Sequence, residues 1–280
     1  MKFTLPPGLT GKAKIKYLVA HKGEIADASK VMTKEADAST TTLESGHEAG
    51  PTLLVKSRVL YDNDESKGIL KRTIVANTYN WLDSHEDVHL NGLFARTIEA
   101  RGKRIKHLYD HKDSVTAKVG RPIQFYEKEI KWRALGHPKN GDTMALIMES
   151  EILKDLNPGV YNEYLTDGID QHSVRMRYNK IDLAVNDENY AQEFKVWNEV
   201  YDRLGNKEAA DALGYFWAVR EATLLEVSAV LWGSNELTPT LDNKQEVDPL
   251  RTLPPQPDPQ RTPAKANDLL KIYSNNLFYE

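Results

Sequence analysis

Gly168-Ile169-Asp170-Gln171-His172-Ser173-Val174-Arg175-Met176-Arg177-Tyr178 is the stretch on which the reading of this chain turns. It opens at a glycine that follows a predicted helix and continues in strand-forming residues. Period-two geometry then sets Ser173, Arg175 and Arg177 on one face and Val174, Met176 and Tyr178 on the other. A serine so placed is either a plain strand residue facing solvent or a nucleophile. It is a nucleophile only where an imidazole and a carboxylate reach it from elsewhere in the chain.

Upstream, Asn157-Pro158-Gly159 opens a short helix, with proline suited to its first turn, and Asp167-Gly168 closes it. Strands are predicted over residues 123–135 and 143–153. The run Lys103 to His111 alternates as a strand, with Ile105, His107, Tyr109 and His111 on one face. Residues 53–61 and 69–77 read as a hairpin around the turn at 62–68, and 83–94 as a polar loop leading into a short helix that ends near residue 100.

Downstream, Tyr190, Phe194, Trp197, Tyr201 and Leu204 recur at helical intervals, and Gly205-Asn206 splits residues 187–214 into two helices. These aromatics read as a packing face. Residues 216–231 return to strand texture, with Glu226, Ser228 and Val230 on a common face. At the ends, residues 14–20 suggest a short strand, while 23–51 have too few large apolar residues to offset their ordering entropy and read as a linker or marginal helix. The prolines at 254, 255, 257 and 259 end the compact unit, and 264–278 read as a detachable helix. The expected organisation is a partly disordered N-terminal arm (1–51), one domain (52–241) with a helical insertion (187–214), and a Pro-rich tail (242–280).

Hydrophobic residues make up 40% of the 280, enough for a core, and 37 Lys+Arg against 41 Asp+Glu leave a net charge of −4. That balance does not suggest nucleic-acid or membrane binding. The absence of cysteine excludes disulfides, thiolate nucleophiles and cysteine zinc sites, and fits a reducing compartment. No segment reads as a signal-peptide core or a membrane span, so a soluble intracellular protein is expected. No cofactor is called for. His85 and His89 are four apart, as are His107 and His111, which raises a zinc site. Against it, no His-Glu-x-x-His motif occurs, and four residues of strand separate His107 from His111 by about 13 Å.

The residue types of a serine hydrolase are present in His111, Ser173 and Glu226, each near a separate predicted strand. Spacing alone does not distinguish them from a loop histidine, a strand serine and an exposed glutamate. Order adds more: Arg72-Thr73-Ile74; Asp83 to Asp87 with Gly92 and Phe94; Lys106 to His111 with Gly120; Gly168 with Ser173; and Leu224-Leu225-Glu226-Val227-Ser228 on to Asn235. This series, spanning residues 69–241, resembles the prohead maturation proteases of tailed phages.

The resemblance implies an α+β protein with a mainly antiparallel β-barrel core flanked by helices, like the herpesvirus assemblins. It implies a serine endopeptidase with Ser173 as nucleophile, His111 as general base and Glu226 as third member. Because assemblins use a second histidine as third member, His107 and Asp110 compete with Glu226 for that place. The implied substrates are scaffold, major capsid protein and the chain's own arms, cut inside the prohead in the host cytoplasm, with a homodimer permitted. Two features depart from the family pattern: the insertion at 187–214, and Arg175 where the family has glycine. Arg175 shares the serine's strand face, so it is read either as an oxyanion donor or as a solvated charge. The alternative function is a catalytically silent scaffold or inner-core protein that keeps the protease fold.

Overall fold

The computed structural model describes residues 6–31, 33–35 and 63–241. The elements in chain order are α1 (Gly11–Val31), β1 (Thr33–Glu35), β2 (Ile69–Thr78), β3 (Asp87–His89), α2 (Ala95–Arg101), β4 (Lys106–Tyr109), β5 (Lys118–Lys131), β6 (Asp142–Leu153), α3 (Pro158–Leu165), β7 (His172–Val185), α4 (Ala191–Val200), α5 (Lys207–Leu213), β8 (Tyr215–Ala229) and β9 (Thr240–Leu241). The first strand of the expected hairpin, residues 53–61, lies outside the described residues, as does the expected helix at 264–278.

The fold is α+β. Eight strands pair in the order β1-β7-β8-β4-β5-β6-β2-β9, and β3 pairs with β8 off this path. Six of the pairings are antiparallel, and the two that β8 makes with β3 and β4 are parallel. Among the described residues the path does not close on itself, so the sheet is not shown to be a barrel.

The principal core lies between the sheet and helices α1 and α3, and includes Leu70, Ile74, Met148, Val174, Met176, Tyr178 and Leu224. The alternation expected at the serine strand is present on this side: Val174, Met176 and Tyr178 point into the core. The two insertion helices cover a second cluster in which Trp197, Val200 and Leu204 meet Phe216 and Ala218 of β8. They form as expected over 191–200 and 207–213, broken at Gly205-Asn206.

The N-terminal region corrects one expectation and decides between the alternatives of another. Residues 14–20 are helix rather than strand, and of the linker or marginal helix read for 23–51, residues 23–31 are helix continuous with it. Low apolar content was the wrong measure here, because Ile15, Leu18, Val19, Ile25 and Ala26 are spaced on one stripe that packs on the core. Leu18 is buried, and Lys14 pairs with Glu86 at 2.7 Å while Lys22 pairs with Glu193 in the insertion. Helix α1 therefore belongs to the domain.

Candidate active site

Three adjacent strands assemble the site. In the antiparallel pair β7–β8, Ser173 lies opposite Ser228 and Arg175 opposite Glu226. Strand β4 runs parallel to β8 on its other side, with Leu108 beside Ser228 and Tyr109 beside Ala229. The ladder reaches one residue further, since Asp110 N–H donates to the Ala229 carbonyl at 3.0 Å. Then the chain turns: Asp110 and His111 both have φ of 50°, in the left-handed region that costs a non-glycine residue about 1–2 kcal/mol. The turn breaks the alternation expected through Tyr109 and His111, and carries the imidazole across β8 toward Ser173.

His111 Nε2 stands 2.7 Å from Ser173 Oγ, and its Nδ1 is hydrogen-bonded to Glu226 Oε1. With Nδ1–H donating to the carboxylate, Nε2 keeps its lone pair and accepts the serine hydroxyl, the tautomer that general-base catalysis requires. The other carboxylate oxygen, Oε2, accepts the hydroxyl of Ser228 at 2.7 Å. Ser228 Oγ in turn accepts the main-chain N–H of His111 at 3.2 Å. All of these side chains are buried, Ser173 to 3% exposure and His111 to 4%. Beside Ser173 is a small hollow no larger than about one water, lined by Ala76 and Val174 together with the polar residues Asn77, His89, His172 and Asn235.

The structure thus brings together His111, Ser173 and Glu226. The other two candidates for the third place are engaged elsewhere. Asp110 lies at the surface and pairs with Lys112 at 3.1 Å. His107 is fully buried in a separate chain of hydrogen bonds, with Nδ1 3.0 Å from Ser150 Oγ and Nε2 3.1 Å from Tyr164 OH. Tyr164 OH is also 2.8 Å from His172 Nε2, and His172 Nδ1 is 2.9 Å from the Thr238 carbonyl. Since Nδ1 of His172 can only donate to a carbonyl, its Nε2 accepts from the phenol. The phenol oxygen then receives Nε2–H of His107, whose Nδ1 accepts from Ser150. Every member is satisfied with both imidazoles neutral. Burial holds the His107 imidazole well below the ordinary histidine range, helped by His172, and holds His172 at about 4 against the raising effect of its Thr238 bond.

Arg175 is placed with the triad, but not as a displayed oxyanion donor. Its Nη2 donates to the His111 carbonyl, its Nη1 pairs with Asp113 at 2.7 Å, and its Nε lies 3.6 Å from Glu226 Oε1. The reading as a solvated charge is set aside as well, since Arg175 is 6% exposed. Among the described residues, no group of three or more His, Asp or Glu side chains is disposed to hold a metal ion. His89 bonds through Nδ1 to Asn77 Oδ1 at 2.9 Å, in a different network from His107 or His111.

Several motif residues hold the frame. Asp83 Oδ1 accepts the main-chain N–H groups of His85 and Asp87 at 2.8 and 3.0 Å, closing the turn before β3. Arg72 Nη2 donates to the Tyr164 carbonyl at 3.0 Å, fixing α3 against β2. Asn235 Nδ2 donates to the Thr78 carbonyl at 2.8 Å, holding the segment that follows β8 against the end of β2. Ser228 is the functional contact that the sequence reading did not assign. Its signal was present, for it sits two residues beyond Glu226 on the same strand face.

Comparison of the chain with protein-family models, with curated proteins and with solved structures gives no match. No helix among the described residues is long and apolar enough to cross a membrane.

Proposed function

We propose that this chain is a serine endopeptidase, and specifically a prohead maturation protease of a tailed phage that cuts scaffold, major capsid protein and its own terminal segments. The observation that carries the enzymatic reading is the line Ser173 Oγ, His111 Nε2 at 2.7 Å, and His111 Nδ1 bonded to the Glu226 carboxylate. Ser173 Oγ bonds to the scissile carbonyl carbon while its proton passes to His111 Nε2. The tetrahedral adduct then breaks its C–N bond, the same proton going to the departing amine. A water activated by His111 releases the acyl group from Ser173. Glu226 keeps the imidazole in the required tautomer and offsets its charge when protonated.

The phage assignment rests on the ordered motifs of the sequence. On this reading the sheet is the core of an assemblin-like barrel, the enzyme acts inside the prohead in the host cytoplasm, and a homodimer is its candidate working form. One observation favours a second reading, a catalytically silent scaffold or inner-core protein: Ser173 is 3% exposed and opens on a hollow of only about one water.

Prolonged incubation of purified protein, followed by intact mass, tests the proposal. Wild type is expected to shorten while Ser173→Ala keeps its full mass. Two unchanging masses would favour the silent scaffold.

A further inference from the structure

The turn that aims His111 is built from two successive non-glycine residues in the left-handed region, and nothing in their own side chains enforces it. Asp110 is turned to Lys112 at the surface, and the His111 ring is occupied by Ser173 and Glu226. The turn is closed locally by the Lys112 N–H donating to the Tyr109 carbonyl at 3.2 Å, and the two strands beneath hold the His111 main chain over the site. Both polar groups of the His111 main chain are received by side chains: its N–H by Ser228 Oγ at 3.2 Å, its carbonyl by Arg175 Nη2. Each of these side chains also reaches the carboxylate of the acid. Ser228 Oγ donates to Glu226 Oε2 at 2.7 Å, and Arg175 Nε lies 3.6 Å from Oε1, the oxygen that receives the His111 ring.

We propose that Arg175 and Ser228 are paired positioning residues, a bracket that sets the aim of His111 by tying its main chain, from both sides, to the carboxylate that holds its ring. This deepens the serine-endopeptidase reading and rests on it. The register makes the bracket possible, since Ser228 faces Ser173 and Arg175 faces Glu226 across one strand pair. Arginine suits its place because its planar fork donates to the carbonyl through Nη2 while keeping Nε at ion-pair distance from the carboxylate, beyond hydrogen-bond reach, an arrangement the single ammonium of lysine cannot reproduce. Its cation also stands beside a carboxylate whose side chain is 4% exposed, where an uncompensated charge would be costly. The outer contact of Arg175 is to Asp113, whose side chain is 85% exposed, and such solvent-facing pairs contribute little. The work of the guanidinium therefore lies at its inner end. The Ser228 hydroxyl accepts from the His111 N–H and donates its one proton to Glu226.

A small fluorophosphonate probe tests the bracket, because its reaction rate reports activation of the serine without a known peptide substrate. The saturating inactivation rate and the half-saturating probe concentration are measured for wild type, Arg175→Ala, Arg175→Lys, Ser228→Ala and Ser228→Thr, with thermal unfolding run on each. Misplacement of the base by a fraction of an ångström is expected to slow inactivation about 10- to 100-fold in Arg175→Ala and Ser228→Ala, with little change in half-saturation. Ser228→Thr, which keeps the hydroxyl, recovers most of the rate. Arg175→Lys, the substitution most apt to stay folded, remains about tenfold slow because its ammonium presents no fork.

Folded Arg175→Lys and Ser228→Ala proteins that react at the wild-type rate would overturn the bracket, as would a Ser228→Thr protein as slow as Ser228→Ala. Folded wild type that takes up no probe would instead overturn the endopeptidase reading on which the bracket stands. The two failures are thus distinguishable.

Discussion

His107 and His172 share one partner, the phenol of Tyr164, which receives a proton bond from the first at 3.1 Å and donates to the second at 2.8 Å. Both imidazoles are fully buried, and both are neutral in this arrangement. The sign of the pH dependence follows. The folded-state values are depressed, that of His172 from 6.5 to about 4, so above pH 6.5 neither the folded nor the unfolded chain is charged at these positions. As pH falls below 6.5 the unfolded chain binds protons that the native chain refuses, and stability is lost until the folded value is reached. By about pH 5 this amounts to about 2 kcal/mol for His172, with a further loss of the same sign from His107. Urea unfolding at about pH 7.5 and about pH 5 checks it; equal stabilities at the two values would contradict the buried neutral pair.

Leu18 sits in the core on helix α1, in a region whose composition alone suggested an exposed arm. Leu18→Ala is expected to cost about 2–4 kcal/mol in the single unfolding transition of the domain. A change within about 0.5 kcal/mol would show that the helix is not packed as described.

Gly120 is needed for a close approach rather than for an unusual backbone angle. A Cβ there would lie 2.5 Å from the Glu151 carbonyl oxygen and 3.0 Å from Ser150 Oγ, the hydroxyl that bonds His107. The nearer atom is backbone, so β5 and β6 must separate. Gly120→Ala is expected to destabilise the fold by about 1–3 kcal/mol, read as a lower urea midpoint. An unchanged midpoint would show that the strands yield freely.

Glu226→Gln keeps the size of the acid but offers an amide where the carboxylate stood. An amide NH2 turned to Nδ1 moves the imidazole proton to Nε2, where it blocks acceptance of the serine hydroxyl. Probe labelling of Ser173 is expected to slow about 10²- to 10⁴-fold. A Glu226→Gln protein reacting like wild type would remove Glu226 from the triad.

The strands carrying the site were legible because their periodicity is strong. Val174, Met176 and Tyr178 alternate into the core with Ser173 and Arg175 opposite, and the β7–β8 register follows from two such strands pairing. The turn at Asp110-His111 was not legible, because no glycine marks it. Two ordinary residues are held at positive φ by main-chain bonds, from Lys112 N–H to the Tyr109 carbonyl and from Asp110 N–H to the Ala229 carbonyl, together with the tertiary contacts from Ser228 and Arg175. The same cause hid the split between His107 and His111. Simple alternation put them on one face, whereas the turn sends one to Ser173 and leaves the other bonded to Ser150 and Tyr164. Helix α1 was missed for a different reason: its apolar stripe is sparse, and its stability comes from the surface it covers.

The most direct test of the central claim is covalent labelling of the folded protein with a fluorophosphonate probe, followed by intact mass and peptide mapping. The account predicts one adduct per chain, on Ser173, lost in Ser173→Ala and strongly slowed in His111→Ala. Folded wild type that takes up no probe, or equal labelling of Ser173→Ala, would contradict it.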